Sequence, residues 1–184
     1  GIVLSYVCII AYTNAINFSD GLDGLASGLI INCLISIIIF SYFENKIIDV
    51  EPIFFLLIML IIFLFSNNGI FLPKSFLGDS GSTSLGFIVS CYLVYYTMPD
   101  NRSFHPVLTL WAAPLPTLDL LTVFFRRILK NENPFTPDRT HIHYLLFNTN
   151  ISIRLIPLLL VSISFIMSIS GFFIYYMLGS LQAL

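Results

Sequence analysis

Three groups of polar residues interrupt an otherwise apolar chain, and their residue types are those that handle phosphates and cations. The first reads NAINFSDGLDGLASG, Asn14 to Gly28. Asn17, Asp20 and Asp23 recur every third residue, so on a helical turn they project from one side. Two carboxylates and an amide so placed can hold a hard cation or hydrogen-bond a sugar and a nucleotide. Gly21, Gly24 and Gly28 permit close backbone approach. The plainer alternative is a solvated loop in which Asp20 caps a helix.

The second group, FLPKSFLGDSGSTSLGF from Phe71 to Phe87, sets Asp79 among Gly78, Ser80, Gly81 and Ser82 just before an apolar run from Thr83. Exposed amides at a helix start favour phosphate, and the carboxylate suits magnesium, which binds through one or two carboxylates plus substrate phosphates. GDSGS also resembles the nucleophile segment of chymotrypsin-like proteases. That fold is a soluble β-barrel whose His precedes its Ser, and no His occurs upstream of Ser80.

The third, RRILKNENPFTPDRTHIHYLL from Arg126 to Leu146, gathers Arg126, Arg127, Lys130, Arg139, His141 and His143 beside Pro134 and Pro137. Guanidinium forks match phosphate oxygens. For Arg126, Arg127 and Lys130 an ordinary basic loop is the simpler reading. His141 and His143 have no third zinc ligand of the usual kind, so they read as donors to a nucleotide phosphate. Asp119, inside the apolar PLPTLDLL, is either functional or an interfacial partner of Arg126.

The elements that must position these groups are membrane helices. Of 184 residues 57% are hydrophobic and 10% charged, and the mean hydropathy is +0.92, far from a soluble composition. A formal charge of -2 gives no footprint for nucleic acid. Cys8, Cys33 and Cys91 lie in apolar runs without metal or disulfide spacing and read as small hydrophobes.

Apolar stretches occupy Gly1 to Thr13, Leu25 to Phe43, Ile53 to Ser66, Thr83 to Met98, Pro106 to Phe125 and Leu155 to Leu178. The pattern predicts an all-α integral-membrane protein of about six transmembrane helices in one polytopic domain, 1–184. The connections then alternate sides. Lys74, Arg126, Arg127, Lys130, Arg139 and Arg154 fall on one face, against Lys46 and Arg102 on the other. The positive-inside rule makes the first face cytoplasmic, and all three polar groups lie on it. The first run is short for a span and begins with Gly1, so further N-terminal helices are expected upstream; a cleaved signal peptide fits poorly.

These motifs resemble those of the polyprenyl-phosphate N-acetylhexosamine-1-phosphate transferases, glycosyltransferase family 4. NAINFSDGLDGLASG is similar to the family's Asn-Ala-x-Asn-x-x-Asp-Gly-x-Asp-Gly motif, FLGDSGSTSLGF to its Gly-Asp-x-Gly-Ser motif, and NPFTPDRTHIHYLL to its Pro-Asp-Arg-x-His-x-His motif. The last resembles the undecaprenyl-phosphate N-acetylglucosamine branch, which starts O-antigen, common-antigen (lipopolysaccharide) or teichoic-acid assembly. It is less like the muramoyl-pentapeptide branch of peptidoglycan synthesis, whose loop carries consecutive histidines. Two departures stand out: the family's earlier Asp-Asp motif does not occur in this sequence, and Tyr144 stands where the branch often has a further His.

The resemblance implies a magnesium-dependent phosphotransferase, with manganese as an alternative, in a bacterial inner membrane and with a cytoplasmic active site. UDP-N-acetylhexosamine and polyprenyl (undecaprenyl) phosphate would be its substrates and the bilayer its surroundings; a homodimer is compatible. Asp79 and Asn17 would hold the metal, and Asp20 and Asp23 would bind nucleotide or sugar or support that metal. Asn14, Asn17, Lys74 and Arg139 would contact substrate, and His141 and His143 would stabilise phosphate charge. A transporter, or a non-catalytic membrane subunit, is the alternative from another class; a transporter's site should lie near mid-bilayer rather than at helix ends.

Overall fold

The computed structural model describes residues 2–46, 48–131, 133, 141–147 and 149–182. Its helices, in chain order, are α1 (Ile2–Ser19), α2 (Leu25–Phe43), α3 (Glu51–Asn67), α4 (Gly78–Tyr95), α5 (Leu108–Ala112), α6 (Pro114–Leu129), α7 (Ile142–Phe147) and α8 (Leu155–Gln182), with a 3-10 turn at Pro99–Asn101. No strand occurs among the described residues. The protein is an all-α membrane protein, as its composition predicts.

All six apolar stretches are helical, but their limits differ from those read in the sequence. α1 continues past Thr13 through Asn14 and Asn17 to Ser19. Polar side chains at a helix end cost little helicity, so the first run reaches 18 residues. α1, α2 and α8 are long and apolar enough to cross a bilayer. α3 is a residue shorter than α1, and α4 begins inside the polar Gly78–Ser84 segment rather than at Thr83. The fifth stretch is broken: Ala113 leaves the helical region at φ −136, ψ 56, and Pro114 restarts the chain as α6. A proline biases the preceding residue away from helix and suits a first helical turn, so Pro114 divides a stretch that reads as continuous in the sequence.

α2 is the centre of the bundle. Apolar nearly all round, it buries Leu25, Leu29, Ile30, Cys33, Leu34, Ile37 and Phe40, and packs against α1, α3, α4, α5 and α8. Toward α8 the contact is made by small and polar groups. Gly28 faces Val161 so closely that a Cβ would come within 2.6 Å of it. Asn32 Nδ2 lies 3.0 Å from Ser164 Oγ and 3.2 Å from Ser168 Oγ, donating to both hydroxyls. Lipid offers no hydrophobic drive between helices, so close backbone approach and such hydrogen bonds, worth about 0.6 kcal/mol each, carry the association.

α1 and α4 also approach closely. A Cβ on Gly86 would sit 3.1 Å from both the Cα and the carbonyl oxygen of Thr13. Backbone cannot yield as a side-chain tip can, so glycine there lets the two helices run side by side. Their facing ends carry the first and second polar groups.

Candidate active site

The first polar group begins on the last turns of α1. Asn17 Oδ1 accepts a hydrogen bond from Ser82 Oγ at 2.5 Å, which ties α1 to the first turn of α4. Asn14 lies on the same helix but its amide donates back to the Ile10 carbonyl at 2.9 Å, and it is exposed. The helix then ends, and Asp20 accepts a hydrogen bond from the backbone N–H of Gly78. Gly78 has φ +68 and starts α4, a conformation that costs glycine nothing.

Asp20, Asp23 and Asp79 face one another electrostatically. Partial burial, then the charges of Asp79 and Asp23, push the Asp20 carboxyl up to about 6, although the Gly78 amide opposes the shift. Burial and neighbouring like charges both disfavour the ionised form. Asp79 is exposed at the α4 N-terminus, as is Ser80. Asp23 pairs with Lys74 at 2.7 Å, both groups about half exposed, and the Lys74 ammonium also lies 5.2 Å from the Phe76 ring centroid. Ion pairs this exposed contribute little to stability.

The oxygens of Asp79, Asp20 and Asn17 are hard donors of the kind magnesium takes. Among the described residues no three His, Cys, Asp or Glu side chains form a ready-made metal cluster. The donor set therefore suits an ion that completes its shell with phosphate oxygens and water, and it fits magnesium on those terms.

The third group folds back onto the first. His141 stacks on Phe18 of α1, with ring centroids 4.9 Å apart. His143 lies parallel to His141, 6.1 Å away at an interplanar angle of 5°, and Tyr144 packs against it at 4.2 Å. His143 fills the space a side chain at residue 21 would need: a Cβ on Gly21 would come 2.6 Å from its Nε2. Gly21 is thus required for a different reason from Gly24, whose φ of +82 calls for glycine on conformational grounds. Burial, then the neighbouring His141, lowers the His143 pKa, with Asp119 opposing. Folding thus disfavours the charged ring, whose Nε2 is buried without a hydrogen-bond partner.

Asn17, Asp20, Asp23, Lys74, Asp79, His141 and His143 thus lie in linked segments at one end of the bundle, whereas Asn14 bonds within its own helix. Arg139, with Pro134 and Pro137, lies outside the described residues. One contributor was not apparent from the sequence, and another was left open. Asn67, which reads as an interruption of an apolar run, accepts a 2.5 Å hydrogen bond from the Gly24 amide and donates to the Ser75 carbonyl at 2.9 Å. It pins the first polar group to the second; an amide at the end of so apolar a helix was the available signal. Asp119 binds the start of α7, Oδ2 lying 2.9 Å from His141 Nδ1 and Oδ1 accepting from the Ile142 amide at 2.9 Å.

A family model described as Glycosyl transferase family 4 matches residues 1–97. The undecaprenyl-phosphate alpha-N-acetylglucosaminyl 1-phosphate transferase of Escherichia coli (strain K12) is 32% identical over 156 residues, covering 84% of this chain and 42% of that protein. Its namesake from Yersinia pestis is 31% identical, covering 84% and 43%. That from Haemophilus influenzae is 34% identical over 128 residues, covering 67% and 36%. The chain spans less than half the length of these curated relatives.

Proposed function

The chain belongs to glycosyl transferase family 4, and we propose from that premise that it supplies the catalytic segments of an enzyme moving N-acetylglucosamine 1-phosphate from UDP-N-acetylglucosamine to undecaprenyl phosphate. UMP is the second product. The observation that carries this reading is the convergence of three segments distant in sequence: Asp20 on the Gly78 amide, Asn17 on Ser82, and His143 on Gly21. The relatives' names supply the sugar and the lipid.

In the transfer, an oxygen of the lipid phosphate forms a bond to the sugar-bearing phosphorus of the nucleotide sugar. The bond from that phosphorus to the bridging oxygen breaks, and the electron pair leaves with UMP. Such a reaction asks the protein mainly for alignment and charge neutralisation. Asp79 and Asn17 would hold a magnesium ion, or manganese in its place, which supplies neutralisation of the pyrophosphate when bound. Asp23 keeps Lys74 beside the α4 N-terminus, within reach of a phosphate. His143, neutral and packed on Gly21, orders the first segment, while His141 presents an imidazole to the phosphates. By the family resemblance, Arg139 would be a further cation for the phosphates. The α4 N-terminus adds unpaired amides to the anion site.

The six-to-two distribution of basic residues favours a cytoplasmic site on a bacterial inner membrane, where a cytosolic nucleotide sugar meets a lipid. The experiment is turnover in membranes containing the full-length protein with UDP-N-acetylglucosamine and undecaprenyl phosphate. A lipid-linked sugar pyrophosphate and UMP are expected. UDP in place of UMP refutes the reaction class, and activity only with UDP-muramoyl-pentapeptide refutes the branch.

A further inference from the structure

Asp119 has no part in the chemistry proposed above, and its position within an apolar stretch makes its charge expensive. Its side chain is only 15% exposed, and that of its partner His141 only 8%. Both carboxylate oxygens are committed, and to the same place: Oδ2 meets His141 Nδ1 and Oδ1 takes the Ile142 amide, each at 2.9 Å. A carboxylate used only to neutralise a neighbouring cation has no need to grip a ring nitrogen and the next residue's backbone together.

The rest of the ring's surroundings complete the restraint. Phe18 covers His141 on one side, and the parallel His143 ring neighbours it at 6.1 Å. Asp119, Ile142 and His143 also line a single narrow cleft with Ser19, Leu115 and Pro116, so α6 and α7 are fitted together at this point. With its plane set by stacking and its rotation set by Asp119, the imidazole keeps one nitrogen, Nε2, for other partners. An ionised carboxylate can only accept, so the proton of neutral His141 sits on Nδ1 and the lone pair on Nε2.

We infer that Asp119 is the positioning residue of His141, fixing its orientation and its Nδ1–H tautomer so that Nε2 can take a proton from solvent water, leaving hydroxide to the bulk, and then donate that N–H in a hydrogen bond to a substrate phosphate. The catalytic part of this inference rests on the transferase reading. The tautomer does not.

Two measurements on the full-length protein separate these parts. In histidine-labelled protein in bilayers, 15N shifts assigned with a His141→Ala variant should report Nδ1–H at His141 in the wild type. In Asp119→Asn, whose amide can donate to Nδ1, they should report Nε2–H. An unchanged tautomer overturns the proposal whether or not the protein transfers sugar.

In turnover assays at matched membrane levels, Asp119→Asn should lower kcat on the order of 10–100-fold, the size of effect seen when a carboxylate behind a functional imidazole is lost. KM for the nucleotide sugar should change little. Asp119→Glu, which keeps an anionic acceptor, should recover part of the loss, and Asp119→Asn should add nothing to His141→Ala. Equal activity of the Glu and Asn variants, or losses that multiply in the double variant, would overturn the positioning role. A wild type that makes no UMP refutes the transferase reading alone, because the nitrogen shifts still decide the tautomer.

Discussion

At one end of the bundle the helix connections carry carboxylates, amides and imidazoles that reach across to one another; at the other, short solvated turns flank rings packed between the helix ends. There Phe40 stacks on Phe172 at 5.3 Å and meets the edge of Phe104 at 6.1 Å, and His105 lies on Tyr175. Tyr96 adds a hydrogen bond to the Asp49 carbonyl, while Lys46, Asp100 and Arg102 are exposed to solvent. The ring-lined end is closed by dispersion and burial, which ask for no ligand. The polar end gathers Asp20, Asp23 and Asp79, where burial first, and the neighbouring carboxylates after it, raise Asp20 to about 6. Like charges held together weaken a fold unless something of opposite sign arrives, which is the property expected of a binding end.

The contrast is broken most severely by removing one anion from each end. Asp79→Asn should slow transfer by more than a hundredfold, since about 3 kcal/mol of lost transition-state stabilisation has that effect. Asp100→Asn, in the exposed turn at Pro99–Asn101, should leave turnover unchanged. Membrane levels and melting should be alike for both, because Asp79 is exposed at a helix start. Equal activity in the two variants would remove the distinction between the ends.

A smaller effect is expected from glycine. Gly21→Ala puts a methyl where His143 lies and should cost on the order of tenfold in kcat, through displacement of the ring by less than the roughly 1 Å that can cost a hundredfold. Gly179→Ala, with open space around it, should be silent. A silent Gly21→Ala would show that the third segment does not rest on the first.

The smallest effect is on stability against pH. The carboxyl of Asp20 is raised from 3.8 to about 6, so the folded protein favours its protonated form. That contribution is complete below the unfolded value and is lost as pH rises through about 6. His143, lowered by burial, contributes in the opposite direction. The test is therefore the difference between wild type and Asp20→Asn in melting temperature from pH 4 to 7. It should move against the wild type as pH rises, and magnesium should reduce the gap. A constant difference would mean that folding does not raise the Asp20 carboxyl.

Much of this organisation is legible in the residues. Apolar length announces the helices, because it depends on local composition, whereas Asn17, Asp20 and Asp23 do not share a helical turn, since α1 ends at Ser19. The helix limits are less so. α1 absorbs Asn14 and Asn17, and α4 absorbs Gly78 and Asp79, since polar side chains at a helix end remain compatible with helical backbone. The break at Ala113 was concealed within a continuous apolar run, although Pro114 marks it in retrospect. The grip of Asp119 on His141, and of Asn67 on Gly24 and Ser75, could not be read at all. Each joins residues whose nearness depends on how the helices pack, and neither spacing nor composition records that.

The seating of His143 against Gly21 also bears on the order in which the protein comes into being. A growing chain emerges from its first residues onward, and the imidazole follows the glycine by about 120 residues, roughly 6–24 s at ~5–20 residues/s. During that interval α1, α2 and α4 can enter the bilayer and bring Asp20 and Asp79 together, but no ring yet covers Gly21. The nascent protein therefore passes through a stage in which its acidic half is assembled while its imidazole half has not been made. The cover over Gly21 forms only after that interval, and α8, which packs on α2, is made later still.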